Sequence, residues 1–342
     1  MQIVLMQDSQ TAEWDAFVEY HPSATFYHES KWKKVIEDSF GQRTFYLMAR
    51  DEDSLHGILP FVHLKSLLFG SIFCSMPFLN FGGICADNHR AETALLDAAR
   101  EIVARHNGDY LELRHINKSS LDLPVKTHKV SMTLDLDGNP DVIWRGFKSK
   151  HRTNIRRAIK NDLELVVGRQ ELLDDFYRII SIGWRNMGTP IYSKRFFENI
   201  VASFGHAIEI FIVKHRGISI ATAFNGLHKD VVEGMWTYCL PEYSRLQTNY
   251  YLYWSMIEKA CRDGFRLYHL GRSTNKSGAT FFKKKWNANV KQLYWEYLLG
   301  KSKELPRLQV DNEKYQTAIA LWRRLPLYLS QRIGPLLSKY IT

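Results

Sequence analysis

His269–Trp286, HLGRSTNKSGATFFKKKW, is the stretch from which the rest of the chain can be read. It follows Asp263-Gly264, a helix stop with glycine at the usual position. Phe265 to Leu270 is an apolar run and predicts a strand. Gly271-Arg272-Ser273 then opens a polar, glycine-containing loop, and Phe281-Phe282-Lys283-Lys284-Lys285-Trp286 begins a cationic helix. Strand, loop and helical start in this order can set charge and backbone donors around a bound group. A plainer reading competes with it. The three lysines would be solvated, with Phe282 and Trp286, four apart, anchoring one helical turn in the core. Spacing alone favours the plainer reading.

Working outward, helix and strand patterns recur twice. Asn249 to Arg262 reads as a helix, and Ile208–Lys214, Ile218–Leu227 and Val231–Tyr238 as strands. Leu163 to Val167 is a further strand. Asp141–Phe147, Arg152–Lys160, Glu171–Asn186 and Lys194–Phe204 read as helices, and Val290 to Leu299 completes that sheet. In the first half, helices are expected at residues 11–20 and 30–40. Strands are expected at Ile3–Met6, Phe45–Arg50 and Ile58–Leu64. Residues 66–90 read as irregular, being rich in Phe, Gly and Pro. Glu92–His106 is a helix stopped by Asn107-Gly108, followed by strands at Leu111–Leu113 and Val130–Leu136. FYLMARDEDSLHGILPFVHL in the first half parallels IFIVKHRGISIATAFNGLH in the second, and EIVARHNGDYLELR parallels IEKACRDGFRLYHL. A duplicated α+β unit explains this better than chance, the plainer alternative being that any two hairpin–helix–strand segments look alike. The expected domains are 1–136, 137–300 with the active site, and a basic helical tail, 301–342, packed on the body. The tail's mixture of aromatic and basic residues also allows peripheral contact with an anionic membrane.

The chain has 342 residues, 45% of them hydrophobic, and a net charge of +10. That predicts packed domains and favours anionic partners. The four cysteines form no Cys-x-x-Cys pair, so no structural zinc site or disulfide framework is expected. MQIVLMQDSQ lacks the basic and apolar regions of a signal peptide, and no apolar run is long enough to span a bilayer. The cytoplasm is the default expectation, with the inner face of the cytoplasmic membrane as a peripheral site.

Two other constellations stand out. Lys148 to Lys160, KSKHRTNIRRAIK, is a cation-dense helix on which Arg152 and Arg156 share a face. Two guanidinium groups so placed can hold a phosphate or diphosphate. A solvated face explains the spacing equally well. Trp236, Tyr238 and Arg245 precede the helix at Asn249. The junction SRLQTNYY there has no glycine-rich loop, which weakens an ordinary coenzyme A site. No P-loop, G-x-S-x-G or G-x-G-x-x-G is present.

With these residues in view, the chain resembles the FemAB-like branch of the GNAT-related acyltransferases, and within it the group associated with exosortase (PEP-CTERM) and exopolysaccharide systems. The segments that carry the resemblance run nearly its whole length. They include SKWKKVIEDSFGQRTFYLMAR, HRTNIRRAIK, GTPIYSKRFFENIVASFG, YLYWSMIEKACRDG and LGRSTNKSGATFFKKKW. The resemblance implies two tandem GNAT-like domains and transfer of an aminoacyl or other acyl group to an amine. It matches Lys283, after Phe282, to a lysine that assists catalysis, and suggests Arg152 and Arg156 for an acceptor's diphosphate. The implied donor is aminoacyl-tRNA or acyl-CoA, with no tightly bound cofactor. The implied acceptor is a phosphorylated, amine-bearing precursor of the cell envelope or an exopolysaccharide. Where the group usually shows GRSK-x-G-T-G and FKKNWGF, this chain has GRSTNKSG and FKKKWNAN, which leaves loop shape and acceptor open.

The expected chemistry is direct attack of the amine on the acyl carbon, without a covalent enzyme intermediate. Lys283 would stabilise the oxyanion, assisted by Phe282. Arg152, Arg156, Trp236, Tyr238, Arg245, Arg272, Ser273 and Trp286 would bind substrate. Two rivals are a non-catalytic binding protein for an anionic glycan or lipid-carrier precursor, and an RNA-binding module.

Overall fold

A computed structural model describes the chain except residues 53, 67–69, 276, 307–312 and 342. Its described residues form an α+β protein with two sheets. The strands are β1 (Gln2–Leu5), β2 (Arg43–Arg50), β3 (Leu55–Ser66), β4 (Gly70–Cys74), β5 (Cys85–Ala86), β6 (Tyr110–His115), β7 (Val125–Lys126), β8 (Lys129–Asp135), β9 (Leu163–Gly168), β10 (Ile208–His215), β11 (Ile218–His228), β12 (Val231–Cys239), β13 (Leu267–Thr274), β14 (Asn289–Gln292) and β15 (Tyr294–Leu299). The α-helices are α1 (Thr11–Tyr20), α2 (Lys31–Phe40), α3 (His89–Arg105), α4 (Pro140–Gly146), α5 (Ser149–Ile159), α6 (Leu173–Met187), α7 (Lys194–Phe204), α8 (Thr248–Arg262), α9 (Gly278–Lys284), α10 (Glu313–Arg323) and α11 (Leu327–Ser338).

Two compact units result. One comprises Met1–Lys129, Gln292–Leu308 and Leu337–Thr342; the other comprises Val130–Lys291 and Gln309–Leu336. These are interleaved segments, where the sequence suggested continuous domains at 1–136 and 137–300 and a tail at 301–342. Two strands account for most of the difference. β8 lies between β14 and β13 in the second sheet, whose order is β14-β8-β13-β12-β11-β10-β9. β15 pairs antiparallel with β6, Trp295 opposite Arg114, and so belongs to the first sheet. The expectation that Val290–Leu299 forms one strand of the second sheet is therefore corrected. It breaks at Leu293, and its two parts serve different sheets.

The repeat read from the sequence is visible in both units. β2 and β3 form an antiparallel hairpin, and so do β10 and β11. The helix α3 leads into β6, which runs parallel to β4; the helix α8 leads into β13, which runs parallel to β12. β4 falls in the segment expected to be irregular. Its sequence GSIFC is short and sits among Gly, Phe and Pro, which hid the strand signal.

In the first unit, Leu47, Phe61, Phe73, Leu95, Leu111 and Leu113 form a core beneath α3. Arg114 is fully buried beside Glu112 at 2.8 Å, and Tyr297 on β15 donates to the same carboxylate at 2.8 Å. In the second unit, α8 buries Leu252, Met256 and Ile257 with Val130, Met132, Val232, Tyr268 and Leu270. Phe176 of α6 and Phe197 of α7 pack with Phe224 and Trp236. The helix α10 packs on α6, where a side chain at Gly188 would meet Ile319. Leu321, Tyr328, Ile333 and Leu336 of the tail stay exposed. No helix among the described residues is long and apolar enough to cross a membrane.

Candidate active site

β12 and β13 run parallel and pair at Val231↔Leu267, Val232↔Tyr268 and Glu233↔His269. Both strands continue, to Cys239 and Thr274, but their pairing stops there. Two features set the split. Against β11 the register shifts after Phe224, so that Met235 is the extra residue of a bulge, and bulges bend strands. Gly234 and Gly271 then bring bare backbone together. A Cβ on Gly271 would lie 2.8 Å from the Gly234 carbonyl oxygen, and Gly271 has φ +80°. Beyond His269 the two strands no longer pair with each other.

Lys283 is aimed at this point. The helix α9 starts at Ser277, whose side chain caps the Thr280 amide. One turn on, the Lys283 ammonium donates to the Gly271 carbonyl at 3.1 Å and to Ser273 Oγ at 3.1 Å, with the Arg272 carbonyl at 3.4 Å. Its side chain is 8% exposed. All three partners are neutral, and burial pushes its pKa down to about 8. The ammonium is thus mostly charged at pH 7 and weakly solvated, a condition in which it acts strongly on a nearby oxyanion.

The neighbouring lysines differ: Lys284 and Lys285 are exposed. The plainer reading of the triplet as a solvated run therefore holds for two of the three. Phe282 does not face the split. Its ring lies against Tyr250, Tyr253 and Trp286, so it seats α9 and is a positioning residue, not a catalytic one. Trp286 is also corrected. It is fully buried among Phe147, His151 and Tyr253 and anchors the core without a surface for substrate.

Ser273 is buried and accepts from Lys283, while Arg272 is half-buried and contributes its carbonyl. Lys276, within the polar loop, lies outside the described residues. Trp236 and Tyr238 alternate to one face of β12. Trp236 packs on Phe196 and Phe197, and the Tyr238 hydroxyl accepts from Asn186 at 3.3 Å. Arg245 is exposed on a 3₁₀ turn before α8, with Gln247 in the left-handed region where a glycine-rich loop would otherwise stand. The arginine pair is not the free clamp that its spacing suggested. Arg152 donates to the Arg145 and Phe147 carbonyls at 3.1 and 2.6 Å, closing the end of α4. Arg156 is exposed with its guanidinium 5.3 Å from the Trp144 ring centre.

Sequence reasoning passed over a buried Ser131–His269–Glu233 cluster beside the split. His269 lies 2.5 Å from Ser131 Oγ through Nε2 and 2.9 Å from Glu233 through Nδ1. These residues come from β8, β13 and β12, so no local spacing could signal them. His269 and Ser273 both lie on β13, so one strand carries the histidine of this cluster and a hydrogen-bond partner of Lys283.

One variant tests the geometry of the split. Gly271→Ala adds a Cβ to a positive-φ residue and pushes it against a carbonyl. It should lower stability by about 1–3 kcal/mol, measured by denaturant unfolding.

Residues 149–284 match the acetyltransferase (GNAT) domain family. The chain is similar to the lipid II:glycine glycyltransferase of Staphylococcus aureus, 24% identical over 252 residues, which is 65% of this chain and 58% of that one. The match thus spans less than two thirds of that relative. Among solved structures, FemX superimposes with a TM-score of 0.67 at 16% identity, covering 87% of this chain and 98% of FemX. A tandem GNAT protein from the clavulanic acid biosynthesis pathway gives a TM-score of 0.54 at 11% identity, covering 87% of this chain and 98% of its own. Both likenesses are to the fold of two GNAT-like domains in tandem. Over residues 149–284 the chain is thus similar in sequence to GNAT acetyltransferases, and its fold is that of two GNAT-like domains in tandem.

Proposed function

We propose that this chain transfers an acyl group, preferentially an aminoacyl group from aminoacyl-tRNA, to an amine on a phosphorylated cell-envelope or exopolysaccharide precursor. The observation that carries the proposal is the buried Lys283 ammonium at the parting of β12 and β13. The donor's acyl chain lies along the open strand edges, and its carbonyl oxygen takes the place of one of the lysine's present partners. The neutral acceptor amine attacks the acyl carbon. A C–N bond forms as the carbonyl π pair moves to oxygen, where the Lys283 ammonium meets the charge. Collapse expels the ribose oxygen of an aminoacyl-tRNA, or the sulfur of an acyl-CoA, and the amine's proton passes to the leaving group or to water. No enzyme nucleophile is required.

The glycyl transfer named for the Staphylococcus aureus relative supports an aminoacyl donor. The missing glycine-rich loop before α8 argues in the same direction, away from coenzyme A. In this reading the exposed Leu321, Tyr328, Ile333 and Leu336, beside Arg323, Arg324 and Arg332, hold the protein on an anionic bilayer where such precursors reside. Co-sedimentation with anionic but not neutral vesicles checks that contact. Association with exosortase-type polysaccharide export is the narrower form of the proposal, and its acceptor would be an amino sugar carrier.

The test incubates the purified protein with aminoacyl-tRNA or acetyl-CoA and a diphosphate-linked sugar peptide bearing a free amine. The expected product gains one aminoacyl residue by mass. Failure of both donors to modify any phosphorylated amine would count against acyl transfer and favour a binding role.

A further inference from the structure

Cys85 differs from the other cysteines in its neighbours. It sits on β5, opposite Ile58 of β3, and is 2% exposed. Its Sγ lies 2.9 Å from Nδ1 of His21, the residue that ends α1. The Ser23 amide donates to the same nitrogen at 3.2 Å, so in the neutral ring Nδ1 carries the lone pair and Nε2 the proton. Nε2 lies 3.5 Å from the Asp87 carboxylate, and the Phe17 ring stacks on the imidazole at 4.9 Å. A base therefore stands within reach of a thiol, and a third group holds that base in its tautomer and plane. Such an arrangement activates a cysteine for attack.

The thiol also faces open space. Cys85 lines a cavity of about 270 Å³, and the other titratable groups among its described lining residues are His28, His89, Glu92, His115 and Lys118. A water molecule takes about 30 Å³, so a small polar molecule has room beside the sulfur. The remaining thiols are set differently. Cys74 donates toward the Glu112 carboxylate at 3.5 Å, a neighbour that opposes a thiolate. Burial pushes the Cys239 and Cys261 thiols up. Cys74, the other cysteine of the first unit, is also out of reach of Cys85. It lies opposite Val62, and Cys85 opposite Ile58, on the same strand. Those positions are about 13 Å apart at the rise of a strand, too far for a disulfide.

We propose that Cys85 is a peroxide-reactive thiol, activated by His21 and Asp87 and oxidised reversibly to a sulfenic acid. His21 Nδ1 takes the thiol proton as the sulfur attacks a peroxide oxygen. A sulfur–oxygen bond forms and the oxygen–oxygen bond breaks. The sulfur is oxidised and the peroxide reduced by the same electron pair. The proton then passes from His21 to the departing hydroxide, which leaves as water. Asp87 keeps the imidazole turned toward the sulfur and steadies its charged form. Because Cys74 is out of reach, the sulfenic acid persists until an external thiol reduces it. A peroxide suits the site better than a bulkier electrophile, since the sulfur is buried and the cavity small. All of these residues belong to the first unit, so the proposal stands apart from acyl transfer at Lys283.

The test treats the full-length protein with hydrogen peroxide at neutral pH in the presence of dimedone, which traps sulfenic acids. Cysteine peptides are then quantified by mass spectrometry. Cys85 is expected to gain the adduct ahead of Cys74, Cys239 and Cys261. A thiol reductant added before the trap should abolish it. His21→Gln should slow Cys85 oxidation by about 10²-fold, and Asp87→Asn by less, since the base remains. A second measurement needs no variant. The rate of Cys85 alkylation by iodoacetamide should reach half its maximum below about pH 8.5, the value for an ordinary thiol. The proposal is overturned if Cys85 gains no adduct at millimolar peroxide, or reacts no faster than the remaining cysteines. It is also overturned if folded His21→Gln reacts at the wild-type rate, or if the alkylation half-maximum lies at or above that of an ordinary thiol.

Discussion

Lys283→Ala should lower acyl-transfer turnover by about 10²- to 10³-fold, the usual cost of removing one oxyanion donor, while leaving donor binding within a few-fold. Among the described residues, the lysine reaches only the Gly271 and Arg272 carbonyls and Ser273 Oγ, all within the site. Its removal therefore breaks no ion pair that holds the fold. Stability should move the other way. Burial lowers the Lys283 pKa to about 8, whereas an unfolded lysine titrates near 10.4. Between those values the unfolded chain binds more protons than the folded one, so this group's contribution to stability rises with pH across about 8 to 10.4 and is least favourable below 8. Lys283→Met, which removes the buried charge at similar volume, should unfold at a higher denaturant concentration than wild type at pH 7. Loss of rate with a gain in stability is the expected signature of a functional group held at a cost. A variant that loses both together would point to a structural role for the lysine.

The second large effect lies three residues on. Trp286→Ala should destabilise the second unit by about 3–5 kcal/mol, the range for removing a large aromatic from a core. Trp286 is fully buried, with the His151 ring centre at 4.3 Å and the Phe147 ring centre at 5.5 Å, and it stacks on Tyr253 at 5.7 Å. It ties α9 to α5 and α8, so its loss should also release Lys283 from the split and lower turnover. Trp286→Phe should cost much less. The indole Nε1 is buried without a hydrogen-bond partner among the described residues, and phenylalanine removes that donor while keeping a ring. Denaturant unfolding of both variants, followed by circular dichroism, separates the two cases. Similar losses from both would mean that the indole nitrogen has a partner of its own.

Much of the fold could be read from local patterns. The helix-stop glycines Gly108 and Gly264 and the paired hairpins marked the repeat, because those signals lie within a few residues of each other. What escaped was non-local. Val130–Leu136 read correctly as a strand, and Val290–Leu299 read as one strand where there are two, because nothing in a strand's own residues names the sheet that it joins. Within the site, Lys283 was singled out by family resemblance and not by its spacing, since three adjacent lysines on one turn look alike. Burial separates them: one is aimed at Gly271, and two face solvent. Arg152 shows the reverse. Its spacing with Arg156 suggested a clamp, but the end of α4 takes its donors. Ser131, Glu233 and His269 converge from three strands, and Cys85 meets His21 from 64 residues away, so each depended on folded coordinates.

The central claim is that the buried ammonium of Lys283 acts on the acyl oxygen in its charged form. The most direct test is kcat/KM against pH for wild type and Lys283→Arg, divided at each pH by the neutral fraction of the acceptor amine. With Lys283 at about 8, the wild-type value should fall about tenfold per pH unit above that point. Any activity left in Lys283→Arg should stay level to about pH 10, because a guanidinium remains charged there. A wild-type profile that holds constant from pH 7 to 10 would contradict the claim.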